Sequence, residues 1–193
     1  MRALKYVFLV AALMLAIEAP KSFLRQQGPF LRQQEPVTAP VRIAYGPAPG
    51  FESIDPELIG KARKTIDMAA YVLSDQRVIR EISAAADRGV RVRIYFDAEQ
   101  FRRSGGGNDN VQALTRQPNV FARIKAENND LMHLKAYAVD GRWLRTGSTN
   151  FSWSGETRQD NDLIVIDSPG AVEDFTRQFE KLWARRDNQD AGK

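Results

Sequence analysis

The sequence MHLKAYAVDGRWLRTGSTN, from Met132 to Asn150, holds the only histidine of this 193-residue chain. His133 lies two residues before Lys135, inside the apolar segment 131–139, which has the pattern of a β-strand. Side chains two positions apart on a strand point to the same face, so we expect His133 and Lys135 to project together while Leu134 enters the core. An imidazole beside an ammonium is costly in a packed core, and it suits a site that receives a phosphate.

The same stretch supplies further groups that can bind an anion. Gly147 and Ser148 follow a second predicted strand and form a tight turn, where backbone N–H groups and a hydroxyl can approach a ligand oxygen. Asn150 adds an amide donor, and with Lys135 these groups can hold the non-bridging oxygens of a phosphate. A single histidine and no cysteine exclude a histidine-rich or thiolate zinc site, and the carboxylates lack calcium-loop spacing. We therefore expect no metal and no cofactor.

On both sides of this stretch, predicted strands alternate with predicted helices. Strands are predicted at 41–45, 66–73, 90–96, 120–125, 131–139, 143–146 and 163–166. Helices are predicted at 56–64 with Asp55 as N-cap, between the cap Ser74 and Gly89, at 111–116 and at 171–186. This order indicates an α/β fold with a mixed β-sheet sandwiched by helices. We expect one domain over residues 41–187 and a tail over 188–193.

The first 40 residues have a different composition. Arg2 and Lys5 precede an apolar run over residues 6–17, which is short for a membrane span and typical of a signal peptide ending near Ala19. We expect residues 1–19 to direct export, to the periplasm or out of the cell. The alternatives are an uncleaved anchor, associated with a membrane through residues 6–17, and an organelle presequence, against which Glu18 counts. Residues 20–40, rich in proline and glutamine, contain the near-repeat FLRQQGP and FLRQQEP and are predicted to be a linker.

Charge does not by itself identify a partner. The chain carries a net charge of +4, but five basic and two acidic residues give residues 1–40 a charge of +3, which leaves the rest at only +1. A site for a polyanion must therefore come from local clustering of basic side chains.

The spacing within the central stretch resembles a known signature. His133-x-Lys135 is followed after four residues by Asp140 and after six more by Gly147-Ser148-x-Asn150, which is the HKD pattern of the phospholipase D superfamily. The chain is similar to the small members of that superfamily with a single motif, the bacterial EDTA-resistant nucleases and the mitochondrial proteins that hydrolyse cardiolipin or cleave RNA. The resemblance implies a phospholipase D-like domain and a metal-independent phosphodiesterase.

The resemblance also implies a role for each motif residue. His133 would attack phosphorus and form a phosphohistidine, a second histidine would protonate the leaving oxygen, and Asp140 would support the site. Lys135, Ser148 and Asn150 would bind the phosphate.

In the superfamily, a carboxylate about a dozen residues past the asparagine usually holds the nucleophilic imidazole. Asp160, Asn161 and Asp162 occupy that region here. Strict spacing falls on Asn161, but a carboxylate fixes an imidazole better, so Asp162 is favoured.

The mechanism implied by the resemblance needs two histidines, and the chain has one. The second must then be His133 of another copy, which predicts a two-fold homodimer with both motifs in one site.

The substrate is open on sequence alone. A nonspecific endonuclease acting on DNA or RNA is favoured, the alternative is a phospholipase D acting on phosphatidylcholine or cardiolipin, and a third possibility is an inactive nucleic-acid or membrane-binding module. Arg145 and Arg158 are candidate contacts to backbone phosphates, whereas Arg102 and Arg103, beside a glycine run, could guide substrate or simply be solvated. The aromatic residues Trp143, Phe151 and Trp153 could stack on bases, but packing in the core or in the dimer interface is favoured.

Overall fold

The computed structural model describes residues 40–105, 109–127 and 130–192. The predicted leader, the predicted linker up to residue 39 and glycines 106 and 107 lie outside these ranges. The strands are β1 Val41–Gly46, β2 Thr65–Ala70, β3 Arg91–Phe96, β4 Val120–Ile124, β5 Lys135–Val139, β6 Trp143–Thr146, β7 Asn161–Asp167 and β8 Gln189–Asp190. The α-helices are α1 Ile54–Gly60, α2 Gln76–Asp87, α3 Ala98–Gln100, α4 Asp109–Thr115, α5 Trp153–Thr157 and α6 Pro169–Trp183.

The described strands form one mixed sheet in the order β1-β7-β6-β5-β2-β3-β4-β8. β2, β3 and β4 are parallel neighbours, connected through α2 and α4, and the other pairings are antiparallel. Parallel strands need a crossover connection, and the amphipathic segments between them supply one. The mixed α/β architecture predicted from the sequence is confirmed.

Helices cover both faces of the sheet. The larger core lies between the sheet and the helices α1, α2 and α4, where β2 contributes Ile66 and Met68 and α2 contributes Val78 and Ile82. The other face is covered by α6, whose Phe179 and other apolar side chains pack on Ala69, Tyr95 and Met132. Alternate residues of β2 and β3 therefore belong to different cores, as the period of a strand requires.

Two predicted helix starts are wrong by a few residues. The side chain of Asp75, not Ser74, caps α2 by accepting the backbone N–H of Arg77 at 2.8 Å. Asp75 has the extended backbone that is usual for an N-cap, with φ −72° and ψ 121°, directly before the first helical residue. Asp55 is not an N-cap either, since α1 starts one residue before it and the carboxylate turns into the core.

The predicted tail belongs to the sheet. β8 pairs with β4, with Asp190 opposite Arg123. Just before β8, the amide of Asn188 donates to the carbonyls of Leu182 and Trp183 at the end of α6 and accepts from the hydroxyl of Tyr95 at 2.9 Å. These bonds fix the chain after α6, so the domain extends past residue 187. A strand of two residues has no periodicity that sequence could reveal.

Within residues 40–105, 109–127 and 130–192, no helix is long and apolar enough to cross a membrane.

Candidate active site

Most of the predicted site residues gather at one end of the sheet, where β5 and β7 begin and β6 ends. In the antiparallel pair β5–β6, Tyr137 lies opposite Arg145, so the residues before β5 lie beside those after β6. The antiparallel pair β6–β7 likewise brings Ser148 next to Asp162. The residues at this end are His133, Lys135, Ser148, Asn150 and Asp162.

Asp140 lies at the opposite end of β5. It follows Lys135 by five residues, which places it roughly 16 Å away along the strand. Its carboxylate accepts the backbone N–H groups of Arg63, Lys64 and Thr65 at 2.9, 2.8 and 2.9 Å. In this position Asp140 ties the start of β2 to the end of β5 and cannot touch a phosphate bound beside His133. Its part in the site can only be indirect.

His133 lies in an extended segment before β5 and its side chain is exposed. The imidazole packs against the ring of Tyr71, with ring centroids 4.3 Å apart and planes inclined by 61°. The segment is anchored by the buried Met132, whose N–H donates to the carboxylate of Asp97 at 2.9 Å. Leu134 is 40% exposed although Met132, two residues earlier, is buried, so the segment before Lys135 does not keep the two-residue period of a strand. The predictions that the strand starts at 131 and that Leu134 enters the core are wrong.

Lys135 opens β5 and is buried, with 6% of its surface exposed. Its ammonium donates to the carbonyl of His133 at 2.8 Å and lies 4.4 Å from the ring centroid of Tyr71. Burial lowers the pKa of Lys135 to about 8. His133 and Lys135 thus meet at the same tyrosine ring, which brings an exposed imidazole and a partly desolvated cation together.

Gly147 allows the turn that follows β6. Its φ of +133° is disfavoured for other residues, and a Cβ atom there would lie 2.6 Å from the carbonyl oxygen of Asp162. The next residue, Ser148, is exposed; its hydroxyl donates to the side chain of Asn161 at 3.0 Å and accepts the N–H of Asp162 at 2.9 Å. The turn therefore presents its hydroxyl at the surface in a fixed orientation.

The carboxylate of Asp162 is bound to this turn. It accepts the backbone N–H of Ser148 at 3.0 Å, and the hydrogen bonds with Ser148 lower the pKa of the Asp162 carboxyl. Among the described residues, no hydrogen bond joins Asp160, Asn161 or Asp162 to His133. Within one chain, Asp162 orders the Ser148 turn, and a contact between one of these side chains and an imidazole stays a prediction.

Buried carboxylates lie behind the motif. Glu156, in α5, is 1% exposed and contacts Arg77 at 2.9 Å, while its second oxygen has no partner among the described residues. Burial, together with the nearby carboxylates of Asp55 and Asp75, raises the pKa of Glu156 to about 8. The Arg77 contact favours the charged form, but burial and the two carboxylates outweigh it. The side-chain oxygen of Asn150 is also buried without a described partner.

The prediction that Arg145 contacts a substrate phosphate is wrong. Its side chain is 0% exposed, and the guanidinium forms two hydrogen bonds to Asp55, at 2.9 and 2.6 Å. It also donates to the carbonyls of Lys135 at 2.9 Å and Thr149 at 3.1 Å. Arg145 lies on the face of β6 that turns toward α1, where a buried carboxylate attracts it. It holds the motif backbone from inside the core.

The other three arginines remain at the surface. Arg102 is paired with Glu127 at 2.6 Å and Arg103 with Glu99 at 2.6 Å, and all four side chains are well exposed. Arg158 is exposed at the end of α5. Paired, exposed arginines can still exchange partners at little cost, so substrate guidance by these residues stays a prediction.

A cleft of about 510 Å³ opens beside His133. The lining includes the basic side chains of Lys125 and Arg185 and the exposed Leu131 and Leu134 on either side of the histidine. The acidic residues Asp130 and Asp187 also line the cleft, so its basic and acidic side chains balance in number. In the part of the chain that the structure describes, no group of three or more histidine, aspartate or glutamate side chains is placed to hold a metal ion.

Sequence reasoning missed two residues of this site. Tyr71 falls within the strand predicted at 66–73. In the structure it lies just past the end of β2 and touches His133 and Lys135. Ligand sites of α/β sheets lie beyond the carboxyl ends of parallel strands, and this position was the available signal. Asp55 gave no signal, because its partner Arg145 lies 90 residues away.

Known proteins resemble this chain in sequence. The family model "Cardiolipin synthase, PLD-like domain" matches residues 56–183. The mitochondrial cardiolipin hydrolase of Chlamydomonas reinhardtii is 28% identical over 127 residues, or 66% of this chain, which spans 55% of that protein. The mitochondrial cardiolipin hydrolase of Xenopus tropicalis is 26% identical over 197 residues, covering 95% of this chain and 90% of the relative.

Solved structures resemble the fold. Nuc from Salmonella typhimurium, described as a phospholipase D family member, superposes with a TM-score of 0.67 at 25% identity, over 79% of this chain and 97% of Nuc. NucT from Helicobacter pylori has a TM-score of 0.62 at 21% identity, over 75% of this chain and 96% of NucT, a likeness of fold alone. With a family model that covers most of the sheet and the whole HKD motif, the chain belongs to the phospholipase D-like family, whose members include phosphodiester hydrolases.

Proposed function

We propose that this chain is a metal-independent phosphodiesterase that uses His133 as its nucleophile. The observation that carries the proposal is the meeting of an exposed imidazole and the buried ammonium of Lys135 at one tyrosine ring. A buried cation without a described carboxylate partner attracts an anion strongly, and the nucleophile is placed beside it.

The proposed reaction has two steps. A ring nitrogen of His133 attacks phosphorus, the bond from phosphorus to the leaving oxygen breaks, and that oxygen takes a proton from a second imidazole. The second imidazole then removes a proton from water, the water oxygen attacks phosphorus, and the phosphorus–nitrogen bond breaks. Lys135 binds the non-bridging oxygens and neutralises their charge, while Asn150 and Ser148 donate to them, Ser148 by exchanging its hydrogen bond to Asn161 for one to the phosphate.

We further propose that the working unit is a homodimer. The chain has a single histidine, so the second imidazole is His133 of a second copy. The exposure of His133 at the end of the sheet is compatible with such an approach. Sedimentation tests this point: a fully active preparation that is strictly monomeric would contradict it.

Nucleic acid is the substrate we favour. Trp153 is 59% exposed, follows Asn150 by three residues and lies under the guanidinium of Arg77, 5.0 Å from the ring centroid. An exposed aromatic ring can stack on a base, and the guanidinium of Arg77, held by Asp75 and Glu156, fixes this ring from one side. Trp153 therefore does not pack in the core of this chain, and its packing in a dimer interface stays a prediction, whereas Phe151 is fully buried as expected.

A phospholipid is the second candidate. Leu131 and Leu134 are 53% and 40% exposed on either side of His133, where they could contact acyl chains. The names of the Chlamydomonas and Xenopus relatives agree with a lipid substrate.

One experiment separates these candidates. The purified full-length chain and His133→Ala are incubated in EDTA with single- and double-stranded DNA, RNA, phosphatidylcholine vesicles and cardiolipin vesicles. We expect nucleic-acid cleavage that is lost in His133→Ala. The control is Arg116→Ala, which changes an exposed residue at the end of α4 and should keep the activity. Lipid turnover alone would support the second candidate, and no turnover would favour an inactive binding module. Activity that survives in His133→Ala would refute the mechanism.

We also propose that residues 1–19 direct export to the periplasm or out of the cell. Fractionation of a bacterial host that expresses the full chain, with the N-terminal sequence of the product, tests this. A new N-terminus near residue 20 outside the cytoplasm supports a cleaved signal, and an intact N-terminus in the membrane fraction supports an anchor.

A further inference from the structure

The ring of Tyr71 lies against two groups of the candidate site at once. It packs edge-to-face with the imidazole of His133, 4.3 Å between centroids, and the ammonium of Lys135 lies 4.4 Å from its centroid. No other described aromatic ring contacts either group.

The contact with Lys135 matters because this ammonium has few partners. Its described contacts are the carbonyl of His133, at 2.8 Å, and the face of the Tyr71 ring. Among the described residues, no carboxylate forms an ion pair with it. The negative face of an aromatic ring stabilises a desolvated cation, so the ring opposes the effect of burial, which favours the neutral amine.

The ring is itself held at both ends. The hydroxyl of Tyr71 accepts a hydrogen bond from the amide of Gln100, in α3, at 3.2 Å. Its backbone N–H donates to the carbonyl of Leu134, between the two site residues, at 2.9 Å. A ring held in this way can restrict the rotamers of the two side chains that lie against it.

We propose that Tyr71 is a positioning residue, which fixes the orientation of the His133 imidazole and holds the Lys135 ammonium where the substrate phosphate binds. The proposal deepens the proposed function and rests on it for its catalytic meaning. The ring acts through its face and edge, so the hydroxyl contributes only by holding the ring.

The single histidine makes this contact measurable without substrate. The full-length chain is produced with 13C-labelled histidine, and its one imidazole signal is followed by NMR in wild type, Tyr71→Phe and Tyr71→Leu. Phenylalanine keeps the ring, and leucine keeps apolar volume without it. We expect the imidazole signal to stay nearly unchanged in Tyr71→Phe and to move in Tyr71→Leu, because the ring current is lost.

Kinetics supply the second measurement. We expect kcat/KM to fall about tenfold in Tyr71→Leu, because this variant loses the ring contacts to the nucleophile His133 and to the Lys135 cation. In Tyr71→Phe, which keeps the ring, kcat/KM should stay within about twofold of wild type. The alkaline limb of the kcat/KM profile should move to lower pH in Tyr71→Leu alone. A purely structural role would change stability and leave this limb in place.

The outcomes separate the two proposals. An unmoved imidazole signal in a folded Tyr71→Leu variant overturns the positioning role and leaves the proposed function intact. If Tyr71→Leu does not fold, nuclear Overhauser contacts between the His133 and Tyr71 rings of the wild-type chain decide, and their absence overturns the role. The third outcome is that the signal moves in Tyr71→Leu but the wild-type chain hydrolyses no phosphodiester. That result refutes the proposed function, and the contact then has no catalytic role.

Discussion

Replacing Asp55 with asparagine is expected to lower the free energy of unfolding by about 3–5 kcal/mol. Asp55 is 1% exposed and accepts hydrogen bonds from Arg145 at 2.9 and 2.6 Å and from the hydroxyl of Tyr137 at 2.8 Å. In the variant, the guanidinium of Arg145, 0% exposed, would remain buried without its counter-charge. Small domains are stable by about 5–15 kcal/mol, so this loss is a large share.

Ionisation of Glu156 is expected to reduce the loss of stability in Asp55→Asn. The charge of Asp55 helps to raise the pKa of Glu156, so removal of that charge makes Glu156 easier to ionise. An ionised Glu156 would partly compensate Arg145, which already favours the charged form of that carboxylate. The double variant Asp55→Asn, Glu156→Gln should therefore lose more stability than the two single losses together.

Urea unfolding of the full-length chain, followed by circular dichroism, measures both effects. The matched control is Asp167→Asn, which removes a similar bidentate pair with Arg142 at the surface, where the two side chains are 26% and 57% exposed. We expect a far smaller loss in the control, because water and salt already screen that pair. If Asp55→Asn loses no more stability than Asp167→Asn, the assignment of Asp55 and Arg145 as a buried brace is refuted.

Three further predictions concern the site. The pKa of Glu156 is raised from its usual 4.5 to about 8, so its contribution to stability is complete below pH 4.5 and is lost as the pH rises through about 8. Glu156→Gln lacks this loss, and its melting temperature relative to wild type should rise between pH 5 and pH 9 as measured by calorimetry; a constant difference would contradict the reasoning. Because burial lowers the pKa of Lys135 to about 8, kcat/KM should decline above that pH as the ammonium is lost, and a flat profile to about pH 10 would exclude its charge from phosphate binding. Gly147→Ala should lower the free energy of unfolding by about 1–3 kcal/mol in thermal unfolding, because its Cβ would lie 2.6 Å from the Asp162 carbonyl oxygen at a φ of +133°. The control Gly170→Ala should be tolerated, because the nearest atom to its Cβ would lie 3.8 Å away.

The sequence was informative where neighbours in space are also near in the chain. β5 and β6 form an antiparallel pair with a short connection, so the fixed spacing from His133 to Asn150 becomes a fixed geometry at one end of two strands. The apolar stripe of α2 was equally visible, because helix periodicity is local. Both the fold class and the grouping of the motif residues follow from such local patterns.

The errors arose where a distant partner decides the outcome. From its position in the motif, Arg145 is predicted to contact a phosphate. In the fold its guanidinium is buried, because it pairs with the buried carboxylate of Asp55, 90 residues earlier. A strand that starts at 131 predicts Leu134 in the core, but β5 begins only at Lys135. Residues 131–134 do not follow that period: Met132 is buried, with its N–H donated to the carboxylate of Asp97, and Leu134 is exposed.

The motif backbone is held from two sides by groups that are not themselves positions of the HKD pattern. From the α1 side, Arg145 binds the carbonyls of Lys135 and Thr149 and is itself fixed by Asp55. From the β2 side, the segment 71–75 donates to the carbonyls of Leu134 and Phe151. These four carbonyls flank the residues proposed to act on phosphate, so changes at positions 55 and 71 should alter the site without touching a substrate. The spacing of the HKD motif is thus necessary for the geometry, but the geometry also depends on partners 60 to 90 residues away that no local motif encodes.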